Sequence, residues 1–217
     1  MTTAGFTVEP IATSEMLERV YAFDEHSYDG VGGPAGANIP LALFKEWWRA
    51  CPTGFLCAFR GGEPQAVIGL FPVSHAWAGD FLAYRTSERE LRAHDIAGSD
   101  RRTWYFSGLS SNGRLGGLGL RLPCILGHAL LRWSQINADA IGDETVTIVA
   151  EGTTPIGEKL LRGVLALESA SGPAGGAQRP RFKTTFDIAA VRHLLIEGRF
   201  FSRCRDLRDA AAALGVG

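Results

Sequence analysis

"RLGGLGLRLPCILGHALLRW", Arg114–Trp133, begins with an arginine and three glycines within six residues and then turns into a long apolar stretch. Glycine costs backbone entropy, so a run of three implies that the bare main chain is needed there. Beyond the glycines, Leu122, Leu126, Ala129, Leu130 and Trp133 recur at helical spacing and mark the buried face of a helix. Pro123 falls in its first turn or so, where a missing N–H costs little. Immediately upstream, "TWYFSGL" is a strand by its aromatic content. A strand, a glycine loop and a helix start together present free backbone N–H groups to an anion.

Working outward, "FTVEPI" reads as a first strand, and Ser14 caps a helix carrying Leu17, Val20 and Tyr21. The glycine-rich "YDGVGGPAGANIP" is irregular. A second helix places Leu41, Phe44 and Trp48 on one face and ends near Cys51-Pro52. "GFLCAF" and "AVIGLFPV", joined through Gly61-Gly62, are antiparallel strands. Residues 75–96 read as more helical than extended, with Ser87 and Glu90 forming a capping box. "TVTIVA" is a buried strand and "IGEKLLRGVLAL" starts as helix. "SASGPAGGAQRPR" is a long hairpin tip or a mobile loop, "FKTTFDI" closes the sheet, and 189–214 is one or two helices. The expected class is α/β (α+β), a mixed sheet of about six to seven strands flanked by helices.

Two well-known phosphate loops do not fit the glycine segment. A dinucleotide fingerprint needs a glycine where Leu122 stands, and a Walker loop needs a lysine, absent between Lys45 and Lys159. Arg114-Leu-Gly-Gly117-Leu-Gly119 instead resembles the Arg/Gln-x-x-Gly-x-Gly/Ala pyrophosphate loop of the GNAT superfamily of acyl-CoA-dependent N-acyltransferases. The resemblance covers nearly the whole chain. The first two helices look like the family's acceptor-side lid, and "FPVSHAWAGDFLAYRTSERELRAHDI" resembles an insertion after the third strand in some bacterial members. "TVTIVAEGTTPIGEKLLRGV" resembles the fifth strand and the helix flanking the thioester.

The resemblance implies one GNAT-like domain over 1–217, with acceptor-side helices in 1–52, the hairpin, insertion and loop core in 53–137, and a C-terminal half in 138–217. It also implies splayed central strands and acetyl-CoA as co-substrate, with an amine acceptor, small molecule or protein. The implied acyl-CoA contacts are Leu109, Ser110 and Ser111 on a strand edge, followed by Arg114, Leu115, Gly116, Gly117, Leu118 and Gly119. Leu161 occupies the position where many members carry a tyrosine acid. That substitution and the neutral "SGLSSN" strand favour a rival reading, a catalytically silent module that binds acyl-CoA or a partner.

Base candidates are Glu151, at the end of the fifth strand, and the group Asp24, Glu25, His26 and Asp29. For each carboxylate a solvated surface role is the competing reading. His75, His94 and His128 are isolated and read as structural, and Trp47 and Trp48 as core. A net charge of −1 gives no basic footprint for nucleic acid, and the basic stretch Arg199–Arg208 reads as a solvated helix face. No segment has membrane-spanning length, and the N-terminus lacks signal-peptide order. Cys51, Cys57, Cys124 and Cys204 form no CxxC pair, which suggests free thiols, no metal and a cytoplasmic location. Monomer and homodimer both remain open.

Overall fold

The computed structural model describes residues 2–3, 6–28, 39–111, 121–142, 144–163, 168–170 and 179–187, and the single positions 190, 191, 193, 195 and 204. Strands β1 (Thr2–Thr3), β2 (Phe6–Pro10), β3 (Phe55–Arg60), β4 (Glu63–Pro72), β5 (Thr103–Ser111), β6 (Val146–Glu151), β7 (Glu168–Ser169) and β8 (Arg181–Phe186) form one sheet. The spatial order is β1-β2-β3-β4-β5-β6-β8-β7, and β1 and β7 have only two residues each. All neighbours run antiparallel except β5 and β6, which are parallel and joined by the long helix α5 (Arg121–Ile141). A parallel pair needs such a crossover, because a tight hairpin cannot reverse the chain twice.

Period-two alternation divides the side chains between two cores, one on each face of the sheet. Leu56, Ala58, Ile68, Leu70, Trp104, Phe106, Ile148 and Ala150 point to one face and pack with Leu126, Ala129, Leu130 and Trp133 of α5. Leu161 of α6 (Pro155–Gly163) belongs to the same core. Phe55, Cys57, Val67, Phe71, Tyr105 and Val149 point to the other face. There they meet α1 (Ser14–Tyr28), α2 (Leu41–Ala50), α3 (His75–Leu82) and α4 (Ala93–Ala97) through Leu17, Phe44, Trp47, Trp77, Phe81 and Ile96. Covering both faces explains why β3 to β6 read as nearly continuous apolar runs.

The expected hairpin at Gly61-Gly62 is present, with φ of 58° and 82° and Arg60 opposite Glu63. Two successive positive φ values favour glycine at both positions. The capping box is also present: the Ser87 N–H donates to Glu90 Oε2 at 2.8 Å. It caps a single 3-10 turn, Glu88–Glu90, and α4 begins afterwards with its own cap from Arg92 N–H to Asp95 Oδ2 at 3.2 Å. Residues 75–96 are therefore three short pieces rather than one helix.

Two of the four cysteines are not free. Cys124 of α5 and Cys204 are disulfide-bonded with Cα atoms 5.7 Å apart, and Cys51 and Cys57 are buried thiols. The partners lie 80 residues apart in sequence, so spacing gave no sign of a pairing made by the fold. The expectations for the 171–178 tip and the basic stretch Arg199–Arg208 lie outside the described residues, as does most of the C-terminal helical stretch.

At the centre of the sheet β4 and β5 slip register. Leu70 pairs with Phe106 and Gly69 with Gly108, so Ser107 is an extra residue on β5. Gly69 makes this possible, since a Cβ there would run into the Ser107 hydroxyl and lie 3.2 Å from Phe71 Cε2 and 3.3 Å from Ser107 Cβ. Gly69→Val should therefore cost about 1–3 kcal/mol of stability by overpacking. Adding Ser107→Gly should recover part of the loss in urea titrations, since it removes two of the crowding atoms.

Candidate active site

The inserted residue resets the alternation of β5. Before it, Tyr105 faces the α1–α4 side and Phe106 the α5 side. After it, Leu109 packs on the α5-side core and Ser110 donates a short hydrogen bond to Asp24 of α1. β5 pairs with β6 only from Thr103–Thr147 to Phe106–Ala150. Beyond that point β5 follows β4 while β6 stays with β8 up to the Glu151–Arg181 pair. The strands part, and Ser107–Ser111 has no strand partner on the β6 side among the described residues. Backbone groups on such an edge require partners from water or a ligand.

Four ionisable side chains converge at this parting on the α1–α4 face. Glu88, in the 3-10 turn, is half-buried as a residue. Burial pushes its carboxyl up to about 8; Glu151 and Asp24 add to the rise, while a hydrogen bond from Tyr105 and the Arg179 charge oppose it. Asp24 is raised to about 6, mainly by burial, with the Ser110 hydrogen bond pulling down and Glu25 pushing up. Tyr105 is fully buried, its ring edge-on to Trp77 at 5.1 Å and Phe81 at 5.2 Å. The buried indole N–H of Trp77 has no acceptor among the described residues.

Glu151 ends β6 and is held by two guanidinium groups, Arg181 Nε at 3.3 Å from Oε2 and Arg179 Nη1 at 3.5 Å from Oε1. Arg181 is only 6% exposed. Its guanidinium lies over the rings of Phe81 at 4.2 Å and Tyr84 at 4.3 Å and donates a short bond to the Phe81 carbonyl. Its backbone N–H donates to the Tyr84 hydroxyl at 3.2 Å. β8 thus clamps the segment between β4 and β5 against the parted strands. The acceptor-side helices hold its other end: Trp47 Nε1–H donates to the Leu91 carbonyl at 3.0 Å, and Glu46 Oε1 accepts the Ala93 N–H at 2.7 Å.

Several residues expected from the sequence meet here and others do not. Asp24, Ser110 and Glu151 belong to the site. Leu109 and Ser111 lie on the unpaired edge. Glu25 instead accepts the Tyr21 hydroxyl at 2.9 Å, and His26 is exposed. Asp29 and the whole loop from Arg114 through Leu115, Gly116, Gly117 and Leu118 to Gly119 lie outside the described residues. Leu161 is 2% exposed within the α5-side core, so a tyrosine there would have to displace packed neighbours. His75 and His94 are exposed, while His128 is buried with its ring edge-on to Phe6 at 5.7 Å. Trp47 is core, and Trp48 is half-buried with its indole N–H on the Ile11 carbonyl at 2.8 Å. Among the described residues no group of His, Cys, Asp and Glu side chains could hold a metal ion, and no helix is long and apolar enough to cross a membrane.

Sequence reading missed Glu88 and Arg181. "SERE" looks like a solvated turn, yet one of its two glutamates, Glu88, faces the Tyr105 hydroxyl. The other, Glu90, is spent on its own cap.

Among solved structures, the polyamine N-acetyltransferase of Drosophila melanogaster, described as forming N-acetylagmatine, matches with 13% identity and a TM-score of 0.53 over 84% of this chain and 99% of that one. The loading GNATL domain of CurA from Lyngbya majuscula matches with 13% identity and a TM-score of 0.53 over 85% and 98%. Ard1 from Thermoplasma volcanium matches with 11% identity and a TM-score of 0.50 over 85% and 98%. This is the GNAT fold. At the level of sequence, no family model and no curated protein matches the chain. The parted strands β5 and β6 take the place that the resemblance assigned to splayed central strands in the GNAT fold.

The electrostatics give a stability signature. Both Glu88 and Asp24 have folded-state values above their ordinary carboxylate range. Each therefore contributes stability at low pH that is lost as pH rises through about 6 for Asp24 and about 8 for Glu88. Glu88→Gln should flatten the fall in melting temperature between pH 5 and 9, read by calorimetry, whereas Glu90→Gln should not flatten it. Arg181→Met should cost about 3–5 kcal/mol by leaving Glu151 in a half-broken buried pair.

Proposed function

We propose that the protein is an acetyl-CoA-dependent N-acetyltransferase that modifies a primary amine of a small molecule or protein. The observation that carries this reading is the parted β5–β6 pair with carboxyl groups gathered on one face of it. The pantetheine arm of coenzyme A is amide-like, and the free edge at Leu109, Ser110 and Ser111 can pair with it as with another strand. Leu115, Gly116, Gly117, Leu118 and Gly119, with Arg114, would present backbone N–H groups to the pyrophosphate ahead of α5. On this reading acetyl-CoA approaches from the α5 side and the amine from the α1–α4 side, so the two reactants meet where the strands part. In that position nucleophile and thioester are held together, which supplies much of the rate enhancement without any covalent enzyme intermediate.

The carboxyl groups of Asp24, Glu88 and Glu151 suit a cationic acceptor. Glu151, tied to two arginines, fits best as a fixed charge that keeps the β6 end in place. The thiol leaves as a comparatively stable anion, because its reference value near 8.5 lies close to neutrality. A tyrosine acid at position 161 is therefore not essential to the reaction. On this reading the protein acts without metal, nucleic acid or membrane, as a monomer or homodimer, and 1–217 serves as one acyltransferase domain.

Two measurements test the reading. Thiol release from acetyl-CoA should be slow alone and accelerate in the presence of an amine library. Absence of acceleration alongside retained acetyl-CoA binding would support the silent-module alternative. Gly117→Asp and Gly119→Asp should each abolish acetyl-CoA binding in titration calorimetry, through added bulk and negative charge at a helix N-terminus. Unchanged affinity in folded variants would refute the loop assignment.

A further inference from the structure

We infer that the Cys124–Cys204 disulfide is a reversible strap between the two halves of the sheet, and that its redox state sets how tightly the protein holds acyl-CoA. The inference rests on the acyltransferase reading above and adds a means of regulation to it.

The parting of β5 and β6 divides the sheet into β1 to β5 on one side and β6 to β8 on the other. Among the described residues, strand pairing between these halves is confined to Thr103–Phe106 opposite Thr147–Ala150. Helix α5 packs on the first half, against β2, β3 and β4. It follows the open end of β5 and leads back to Val146, at the paired end of β6, so the crossover itself ties the halves only at that closed end. β8 also finishes at the closed end, with Phe186 opposite Val146. The chain beyond it enters the α5-side core through Val191, Leu195 and Cys204, and Cys204 is bonded to the fourth residue of α5. The bond therefore joins the beginning of a helix seated on one half to the segment that leaves the other. It does so on the face from which acyl-CoA approaches in the reading above. Leu109, on the edge offered to the pantetheine arm, lies at the margin of the same core as Cys124.

The bond is placed to open and close. Cys204 is only 6% exposed, whereas Cys124 is half-buried, so an attacking thiolate reaches the pair at the Cys124 sulfur. Val191 and Leu195 are both buried, which leaves the trailing segment anchored when the bond is open. The thiols of Cys51 and Cys57 are buried in the core on the opposite face and cannot exchange with this pair.

The redox step balances with a dithiol as reductant. Its thiolate attacks the Cys124 sulfur, the Cys124–Cys204 bond breaks, and Cys204 leaves as a thiolate that takes a proton. The second thiol of the reductant then displaces Cys124 from the mixed disulfide. Two electrons and two protons pass to the protein, and the reductant departs as a cyclic disulfide. With the strap closed, acyl-CoA meets a cleft already held near one width; with it open, binding must first restore that width. Coupling is reciprocal, so bound acyl-CoA makes the disulfide harder to reduce by the same factor.

The probe for the test is desulfo-coenzyme A, which has the pyrophosphate and the pantetheine arm but no thiol to exchange with the protein. Titration calorimetry should give a Kd about 5- to 150-fold weaker for the parent reduced with dithiothreitol than for the oxidised parent. Cys204→Ser should bind as the reduced parent does and should not respond to dithiothreitol. In glutathione redox buffers, saturating probe should shift the protein toward the disulfide by the same factor, counted by thiol labelling and mass spectrometry. Should Cys204→Ser fail to fold, the reduced parent and the redox titration decide. Equal or tighter binding after reduction overturns the inference while leaving the acyltransferase reading intact. So does a reduced parent that no longer melts cooperatively, because the bond is then a structural staple only. A parent that binds the probe in neither redox state overturns the acyl-CoA reading, and this inference with it.

Discussion

The structure depends on two parallel strands that stop pairing. β5 and β6 are hydrogen-bonded from Thr103–Thr147 to Phe106–Ala150 and then separate, each remaining with its antiparallel neighbour. One extra residue on β5, Ser107, turns that strand away, and it fits only because Gly69 opposite has no side chain. Among the described residues, the resulting gap leaves Ser107–Ser111 without a strand partner on the β6 side, in a sheet otherwise covered on both faces. Exposed backbone there is costly unless something completes the hydrogen bonds. The same extra residue swings Ser110 onto Asp24, so backbone irregularity and side-chain arrangement have a common origin.

The segment between β4 and β5 acts as a wall of this gap. Its own cohesion is slight: an eight-residue helix, a single 3-10 turn and a five-residue helix. It gains rigidity from contacts distant in sequence, chiefly the buried Arg181 guanidinium stacked on Phe81 and Tyr84 and paired with Glu151. A buried arginine contributes little net stability, since desolvation offsets its attractions, but losing either partner is expensive. The pairing thus fixes geometry more than it adds stability. It also ties Glu151, at the end of β6, into the wall of the gap.

Much of the fold was legible in the sequence because local chemistry and tertiary demand agree there. The Gly61-Gly62 turn has the positive φ values that its dipeptide implies, and the Leu126, Ala129, Leu130 and Trp133 face is buried as its spacing requires. The strands of both cores carry apolar side chains on both faces, so their limits stand out. The site was legible in part. Asp24 and Glu151 could be named from the elements they flank or end, and Ser110 from the family resemblance, whereas Glu88 sits among charges in a motif whose plain meaning is a capped turn. The groups around it, Tyr105, Glu151, Asp24 and Arg179, are far away in the chain. The Cys124–Cys204 bond stayed hidden for the same reason: contact across the fold leaves no local pattern.

Burial and charge also act against each other in a way that bears on selectivity. Asp24 and Glu88 have each given up solvation without an arginine ion pair among the described residues, and burial makes both resist ionisation. An incoming cation supplies the missing counter-charge, so its binding and the ionisation of these carboxyls reinforce one another by linkage. A neutral or anionic molecule of the same shape gains none of this and meets groups that prefer to stay protonated. Discrimination then comes from the state of the free protein as much as from contacts in the complex. The desolvation that lowers the protein's stability above the carboxylate range is the same desolvation that a bound cation would offset.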